Sequence, residues 1–277
     1  MTTTAPTPTR TTTAAPAVRC AEPRTTRDDV RAIPAALRSE WIKVSTLRVS
    51  RVILALGVVV AGVAAWAVAV AVTDEVLTVA QVFVYPTVLI AALAAVAGIL
   101  VFTSEAQHGT LAMALAGQPT RWVIVLAKVI VVIGCGLVLG AAAMAAGAAG
   151  SALGGLELGD GSAMVTTALF ALLYTALAAT FGLGVGMIVR HSAGAVTGLL
   201  VWWFVVENLI LAFAPATIAR FLPFDAGYRV LGVGSDFDSP EMIAAALTRP
   251  QYAAIFAGYA TITVLVGAVL VQRRDVS

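Results

Sequence analysis

The residue in this sequence with the most chemical potential is Glu207, which stands next to Asn208 in the apolar run WWFVVENLI. A carboxyl group inside such a run needs a proton or a basic partner, and Arg220 and Arg229 are the basic residues that follow it most closely. Glu207 and Asn208 are therefore candidates for lining a path through the protein or gating its outer end. A bond from Glu207 to a neighbouring helix or to the following loop explains the pattern equally well, and both interpretations stay open.

A second group of polar residues interrupts apolar sequence in FTSEAQHGTLAMALAGQPTRW, from Phe102 to Trp122. Ser104 and Gln107 have the spacing of a capping box, which predicts that a helix starts at Ser104. Gly117 and Pro119 are residue types that end helices. The sequence therefore predicts a short, structured surface helix, and a structured polar segment of this kind needs a partner or a membrane surface.

Other site chemistry has little support. His108 and His191 lie in different loops without further metal ligands beside them, and Cys20 and Cys135 predict no disulfide framework. The sequence contains no G-x-x-x-x-G-K-[ST] phosphate loop, no H-E-x-x-H and no G-x-S-x-G. We therefore predict that the chain is not an enzyme and holds no cofactor or metal of its own.

Strongly apolar sequence surrounds all of these residues. Of the 277 residues, 60% are hydrophobic and 12% are charged, whereas a soluble domain has about 25% charged residues. Crossing a bilayer as helix takes about 20 apolar residues. Continuous rather than alternating runs predict helices and not a barrel, and six are long enough: Val52–Val72, Val82–Thr103, Trp122–Gly150, Ala163–Val189, Ala193–Ala214 and Tyr252–Val271. We predict an all-α membrane protein with six transmembrane helices.

Basic residues collect on one side of these spans. They are dense before the first span, and they recur at Arg121, Lys128, Arg190, Arg273 and Arg274. Each of these residues follows an even number of spans, or lies at the start of the next one, so all are on the same side as the N-terminal sequence. The first two loops of the opposite side contain only acidic residues among the charged types. The positive-inside rule then predicts that both termini and the 102–122 segment are cytoplasmic. Because topology accounts for the net charge of +2, we predict no nucleic-acid partner.

The N-terminal sequence divides into a tail and a helix. Residues 1–33 are rich in Thr, Pro and Arg, which predicts a disordered cytoplasmic tail. Residues 34–51 predict an amphipathic helix at the headgroup level, with Leu37, Trp41 and Val44 on one face. Residues 52–277 then form the six-span domain.

Two further predictions concern local structure. The loop from Pro215 to Pro250 is predicted to contain short outer helices, one of them starting at Ser239-Pro240-Glu241. Glycine pairs at four-residue spacing predict close helix contacts, although chance pairs are expected in sequence so rich in Gly and Ala. These pairs are Gly136/Gly140, Gly182/Gly186 and Gly194/Gly198.

Several motifs, taken in their order, resemble the type-2 ATP-binding-cassette (ABC) permease family. SEAQHGTL, between the second and third spans, resembles the pattern E-x-x-H-G-T of that family. RSEWIKVSTLR, before the first span, is similar to its E-x-x-K segment followed by a Leu-Arg pair, and RFLPFDAGYRVL and RRDVS are similar to actinobacterial members. The resemblance covers Arg38 to the C terminus and includes span number, loop lengths and order.

The resemblance implies a permease subunit, and an exporter, in a bacterial plasma membrane. It implies a dimer with a second, identical or related permease subunit, and a separate ATPase subunit that binds ATP and Mg²⁺. The helix between spans two and three would be a coupling helix that docks on the ATPase through Glu105, His108, Gly109, Thr110 and Leu111. The chain departs from the family at Ala106-Gln107, where relatives often have an aromatic and a basic residue.

Two alternatives remain open from the sequence. A self-sufficient secondary transporter needs intramembrane charges for coupling, and the spans offer Glu207 alone, without an evident inverted repeat. The other alternative is a membrane-anchored assembly or regulatory protein without transport activity, and an ATPase gene beside this one would favour the ABC permease over both alternatives.

Overall fold

A computed structural model of the chain describes residues 26–71, 79–107, 121–155, 163–232 and 240–273. This part of the chain is almost entirely helical and contains no β-strand. Six of its helices are long and apolar enough to cross a membrane, and each overlaps one of the six predicted runs. The chain is therefore an all-α, multi-pass membrane protein, as its composition predicts.

The helices are numbered here in chain order through the described residues. They are α1 (Thr26–Thr46), α2 (Arg48–Ala71), α3 (Val79–Gln107), α4 (Arg121–Leu153), α5 (Met164–Val189), α6 (Ser192–Val201), a π-helical turn (Trp202–Glu207), α7 (Asn208–Phe213), α8 (Ala216–Ala219), α9 (Pro223–Arg229), α10 (Pro240–Ala244) and α11 (Arg249–Arg273). The fifth span-length segment consists of α6, the π-helical turn and α7.

Helix α5 lies at the centre of the bundle, where it packs against α3, α4 and α11. Small residues allow these close contacts: a Cβ atom on Gly98 of α3 would overlap the Ala179 carbonyl of α5, and one on Gly182 of α5 would overlap the Ala95 carbonyl of α3. Close backbone approach at small residues is the usual packing mode of helices in membranes. Of the glycines predicted to make such contacts, Gly182/Gly186 and Gly136/Gly140 do so, whereas a Cβ on Gly198 would meet nothing within 4 Å.

Helix α1 begins at Thr26 and therefore extends into the stretch where the sequence predicts a tail, while Arg48–Arg51 already belong to α2. Residues 1–25 lie outside the described residues. The face that α1 buries carries Glu40 and Val44, four residues apart, whereas Trp41 is 48% exposed. The position of α1 is therefore set by a charged residue as well as an apolar one.

The predicted helix start at Ser104 is wrong. Helix α3 continues without interruption to Gln107, and the Ser104 hydroxyl donates to the Leu100 carbonyl at 2.6 Å. Thr103 donates in the same way to Ile99 at 2.9 Å. A serine inside a helix can donate its hydroxyl to the carbonyl four residues earlier, so it does not have to cap a helix start. The spacing between Ser104 and Gln107 cannot distinguish these two roles. The rest of the predicted surface helix, residues 108–120, lies outside the described residues.

Candidate functional site: the base of the 108–120 loop

Four ionisable side chains from three helices form a closed ring, which we call the ion cluster: Glu40 and Lys43 of α1, Glu105 of α3 and Lys128 of α4. The Lys128 Nζ atom lies 2.7 Å from Glu40 Oε2 and 2.8 Å from Glu105 Oε2. The Lys43 Nζ atom lies 2.6 Å from Glu40 Oε1 and 3.1 Å from Glu105 Oε1. Each carboxylate therefore bridges both ammonium groups, and the four formal charges cancel.

The ion cluster is largely removed from solvent. The side chains of Lys128, Glu40 and Glu105 are 1%, 6% and 14% exposed, whereas that of Lys43 is 36% exposed. Burial of charge is costly, and an ion pair in such a place is retained only when every charge has partners. The ring supplies them, and removal of Lys128 would leave two largely buried carboxylates with only the partly exposed Lys43 as a partner.

Opposing effects set the protonation of the two α1 residues. Burial acts to raise the pKa of the Glu40 carboxyl, but the charge of Lys128 and hydrogen bonds from Lys128 and Lys43 hold that pKa below its ordinary value. Burial acts to lower the pKa of Lys43, but hydrogen bonds and charge from Glu40 and Glu105 raise it overall. Both residues are therefore ionised at neutral pH.

Local sequence explains how the helices deliver these groups. Glu40 and Lys43 are three residues apart, so they share one face of α1. Glu105 lies in the last turn of α3, and Lys128 lies two turns into α4 in the apolar sequence WVIVLAKVIVV. The sequence places Lys128 with the basic residues that flank the spans, whereas the structure buries it completely. Its apolar neighbours on both sides are the signal that separates it from an ordinary flanking lysine.

Both ends of the 108–120 loop are held by hydrogen bonds to other spans. At the start of the loop, Gln107 Oε1 accepts a bond of 2.8 Å from the Ser192 hydroxyl, at the beginning of α6. At its end, the Arg121 guanidinium donates to the Val271 and Gln272 carbonyls of α11, at 3.0 and 2.9 Å. Together with the ion cluster, these contacts form what we call the loop base, which joins the ends of α1, α3, α4, α6 and α11.

Of the five residues predicted to dock on an ATPase, the structure describes Glu105 alone, and His108, Gly109, Thr110 and Leu111 lie outside the described residues. The Glu105 carboxylate faces the ion cluster, where both of its oxygens contact a lysine. His191, also singled out in the sequence, has an extended backbone and directly precedes α6, and its Nδ1 accepts from the Gly194 N–H at 3.0 Å. That bond caps the first turn of α6.

Glu207 lies away from the loop base and is 1% exposed. Its Oε1 accepts a bond of 2.6 Å from the backbone N–H of Asp225, the third residue of α9. A carboxylate at a helix N-terminus satisfies an N–H group that has no partner within the helix and interacts favourably with the helix dipole. Glu207 therefore makes the predicted bond to the loop after α7, while Asp225 also accepts from Arg229 at 2.8 Å.

The π-helical turn Trp202–Glu207 directs these side chains. Trp203 is buried and stacks on Phe224 of α9 with ring centroids 4.1 Å apart, beside the Glu207 bond. Asn208 is exposed, and its side-chain amide donates to the Trp203 and Phe204 carbonyls at 3.2 and 3.3 Å. Glu207 and Asn208 thus point into different surroundings, although the sequence groups them as one candidate pair.

The polar contacts of the loop base are the strongest candidate functional site in the described residues, where no group of three His, Cys, Asp or Glu side chains is placed to hold a metal ion. Comparison of the chain with protein-family models and with curated proteins found no match.

Proposed function

We propose that the chain is the permease subunit of an ABC exporter in a bacterial plasma membrane, with both termini cytoplasmic and a separate ATPase subunit docked on the 108–120 loop. The observation that carries the proposal is the ion cluster. Glu40 and Lys43 belong to RSEWIKVSTLR, Glu105 belongs to SEAQHGTL, and Lys128 bridges them. Two segments that resemble ABC permeases independently in sequence are in contact where the loop begins.

The contacts of the loop base could transmit a movement of the docked loop to the membrane-spanning helices. A movement of the docked loop reaches Glu105 first, and Glu105 is held by Lys43 and Lys128. Separating these groups would leave charges buried and unpaired, so α1, α3 and α4 move together. At the other end of the loop, Arg121 transfers the movement to α11. The docking contact itself is then made by His108, Gly109, Thr110 and Leu111, and Glu105 is a positioning residue behind them.

In this proposal two permease subunits, identical or related, enclose the path, and ATP-driven closure of the ATPase pair tilts their spans. The ATPase subunits supply the ATP and Mg²⁺ sites. A secondary transporter is supported less well, because the Glu207 carboxyl group that it would need for coupling is bonded through Oε1 to the backbone N–H of Asp225. A membrane-anchored assembly protein predicts no ATPase partner, which makes it an outcome of the experiment that follows.

The experiment is affinity purification of the chain from its native membrane in a mild detergent. We expect wild-type protein to retain a subunit that contains a G-x-x-x-x-G-K-[ST] phosphate loop, identified by mass spectrometry. Gly109→Trp should remove this subunit, because the bulky side chain would block the docking surface. Gly159→Trp is the matched control, since it makes the same change in the loop between spans three and four, on the opposite side of the membrane.

Retention of the ATPase by Gly159→Trp and its loss from Gly109→Trp would support docking on the 108–120 loop. Both variants must elute from size-exclusion chromatography as wild type does. If no such ATPase accompanies the wild-type protein in several mild detergents, the ABC proposal is wrong. If both variants retain it, an ATPase is bound but not by this loop.

A further inference from the structure

A cavity of about 380 Å³ lies between the start of α2 and the helices α1, α3 and α4. Its origin is visible in the packing of α2, which buries small residues at four-residue spacing only from its third turn onward. These are Gly57, Ala61, Ala65 and Ala69. In the first two turns of α2 no residue is buried, although Ile53 packs against the core, and the cavity lies beside these turns.

The inner walls of the cavity are apolar apart from Ser104, whose hydroxyl donates to the Leu100 carbonyl, and Cys135. Helix α3 contributes Ala94, Ala97, Leu100 and Val101, and α4 contributes Val132, Val138 and Leu139. The volume falls within the range of about 300–1,000 Å³ that is typical of small-molecule sites. Because α2 is long and apolar enough to span a membrane and its cavity-lining residue Leu54 is 37% exposed, we expect lipid chains to lie beside the cavity.

The mouth of the cavity is polar and basic. Ser45, Ser50 and Arg51 line it, and Trp41 of α1 stands beside them. Arg51 is exposed and one of its nitrogens lies 3.4 Å from the Thr46 carbonyl, but a guanidinium has five N–H donors, so further donors can face a ligand. Arg48 precedes it by one helical turn. Arg and Trp at a span end are typical of the headgroup level of a bilayer.

We propose that this cavity binds one anionic phospholipid of the surrounding bilayer. One acyl chain lies against Ala97, Leu100 and Leu139, and the phosphate lies at Arg51 and Ser50. Arginine is well suited to phosphate because it can donate two parallel N–H bonds. A zwitterionic headgroup has the same phosphate but adds a positive charge, which Arg51 and Arg48 repel, so the cavity prefers lipids with net negative charge. The proposal does not depend on the ABC proposal.

The test is native mass spectrometry of the full chain after removal of bound lipid. The protein is incubated with an equimolar mixture of phosphatidylglycerol and phosphatidylcholine that carry the same acyl chains. Two variants act on the site: Ala97→Phe fills the cavity, and Arg51→Gln removes the charge at its mouth. Two matched controls make the same changes elsewhere, at exposed positions outside the cavity lining: Ala148→Phe on α4 and Arg38→Gln on α1.

We expect wild type, Ala148→Phe and Arg38→Gln to retain one phosphatidylglycerol molecule in preference to phosphatidylcholine. Arg51→Gln should lower that preference about fivefold, the effect of roughly one basic residue at an anionic headgroup. Ala97→Phe should lose the bound lipid of either kind. If thermal unfolding shows that Ala97→Phe is misfolded, Ala97→Leu replaces it with a smaller insertion.

Three results would overturn the proposal. One is equal retention of the two lipids by wild type, since the basic mouth would then select nothing. Another is undiminished phosphatidylglycerol binding by folded Ala97→Phe and Ala97→Leu. The third is complete displacement of phosphatidylglycerol by an equal concentration of oleate, which would assign the cavity to free fatty acids instead.

Discussion

Lys128 and Lys43 contact the same two carboxylates, yet only Lys128 is removed from solvent. Its side chain is 1% exposed, against 36% for Lys43. Water can replace the contacts of an exposed ammonium group but cannot reach a buried one. The two lysines therefore have the same partners but contribute differently to the free energy of unfolding.

We predict that Lys128→Met destabilises the protein by about 3–5 kcal/mol, because two buried carboxylates lose a common partner. Lys43→Met should cost less than about 1 kcal/mol, as expected for a partly exposed ion pair. Denaturant titration in mixed micelles, followed by tryptophan fluorescence, measures both. Arg38→Gln, on an exposed face of α1, is the control for loss of a positive charge. Equal losses from the two lysine variants would contradict the assigned burial.

The pKa shifts predict how the stability of the cluster depends on pH. The pKa of Glu40 is lowered from an ordinary value of 4.5, so its stabilising contribution is complete above that value and is lost as the pH falls through the lowered pKa. The pKa of Lys43 is raised from 10.5, so its contribution is complete below 10.5 and is lost as the pH rises through the raised pKa. Between these limits the cluster is intact.

The thermal midpoint of wild type should therefore exceed that of Glu40→Gln by a constant amount from about pH 5 to pH 9. The difference should begin to shrink below pH 4.5, where the unfolded chain takes up a proton at Glu40, and should be lost as the pH falls through the lowered pKa of the folded protein. Differential scanning fluorimetry across this range provides the measurement. If the difference between the two thermal midpoints grew on acidification, the pKa of Glu40 would be raised and not lowered, which would contradict the prediction.

The helices are positioned by glycines whose importance depends on what faces them. A Cβ on Gly182 of α5 would overlap the Ala95 carbonyl of α3, whereas one on Gly198 of α6 would meet nothing within 4 Å. Both belong to glycine pairs that look alike in the sequence. The glycine spacing therefore indicates where two helices could come close together. Whether they do depends on which helix faces the glycine.

We predict that Gly182→Ala destabilises the bundle by about 1–3 kcal/mol, since backbone atoms of α3 must move to admit the new methyl group. Gly198→Ala should be neutral or stabilising by up to about 1 kcal/mol, because alanine restricts the unfolded chain more than glycine does. Thermal midpoints of the two variants in the same detergent give the comparison. Similar losses in both would show that α3 and α5 do not meet at Gly182.

The spans could be predicted because long apolar runs are a local property of the sequence, and each run overlaps a helix of the structure. The continuation of α3 through Ser104 was not predictable from the capping-box spacing, because the same residue types serve equally well inside a helix. The π-helical turn at Trp202–Glu207 has no local signal at all. It is explained by contacts with α9, which lies later in the chain.

The ion cluster shows the same limit for the candidate site. Each member is visible in the sequence, and the pair Glu40 and Lys43 has recognisable helical spacing. Glu40 bonds to Lys128, which lies 88 residues later in the chain, and Lys43 bonds to Glu105, which lies 62 residues later. Contacts of that separation depend on the fold, so the sequence predicts the segments that matter but not that they meet.

In the whole molecule, polar contacts secure the two ends of the bundle, and small residues pack the middle. At one end the loop base joins α1, α3, α4, α6 and α11. At the other end of α11, Arg249 donates to the Val230 and Leu231 carbonyls at 3.0 and 2.8 Å. Glu207 holds the start of α9 nearby in the chain. Most of these charged groups lie near the span ends, and the two that are buried within span-length helices, Lys128 and Glu207, are both bonded to partners.

The bonds from Arg121 to the end of α11 have a consequence for biosynthesis. The acceptors are 150 and 151 residues later in the chain, so about 8–30 s of translation separate the donor from its partners. The first four spans are complete during that interval, and the ion cluster can already form. The loop base, by contrast, becomes whole only after the last span is inserted.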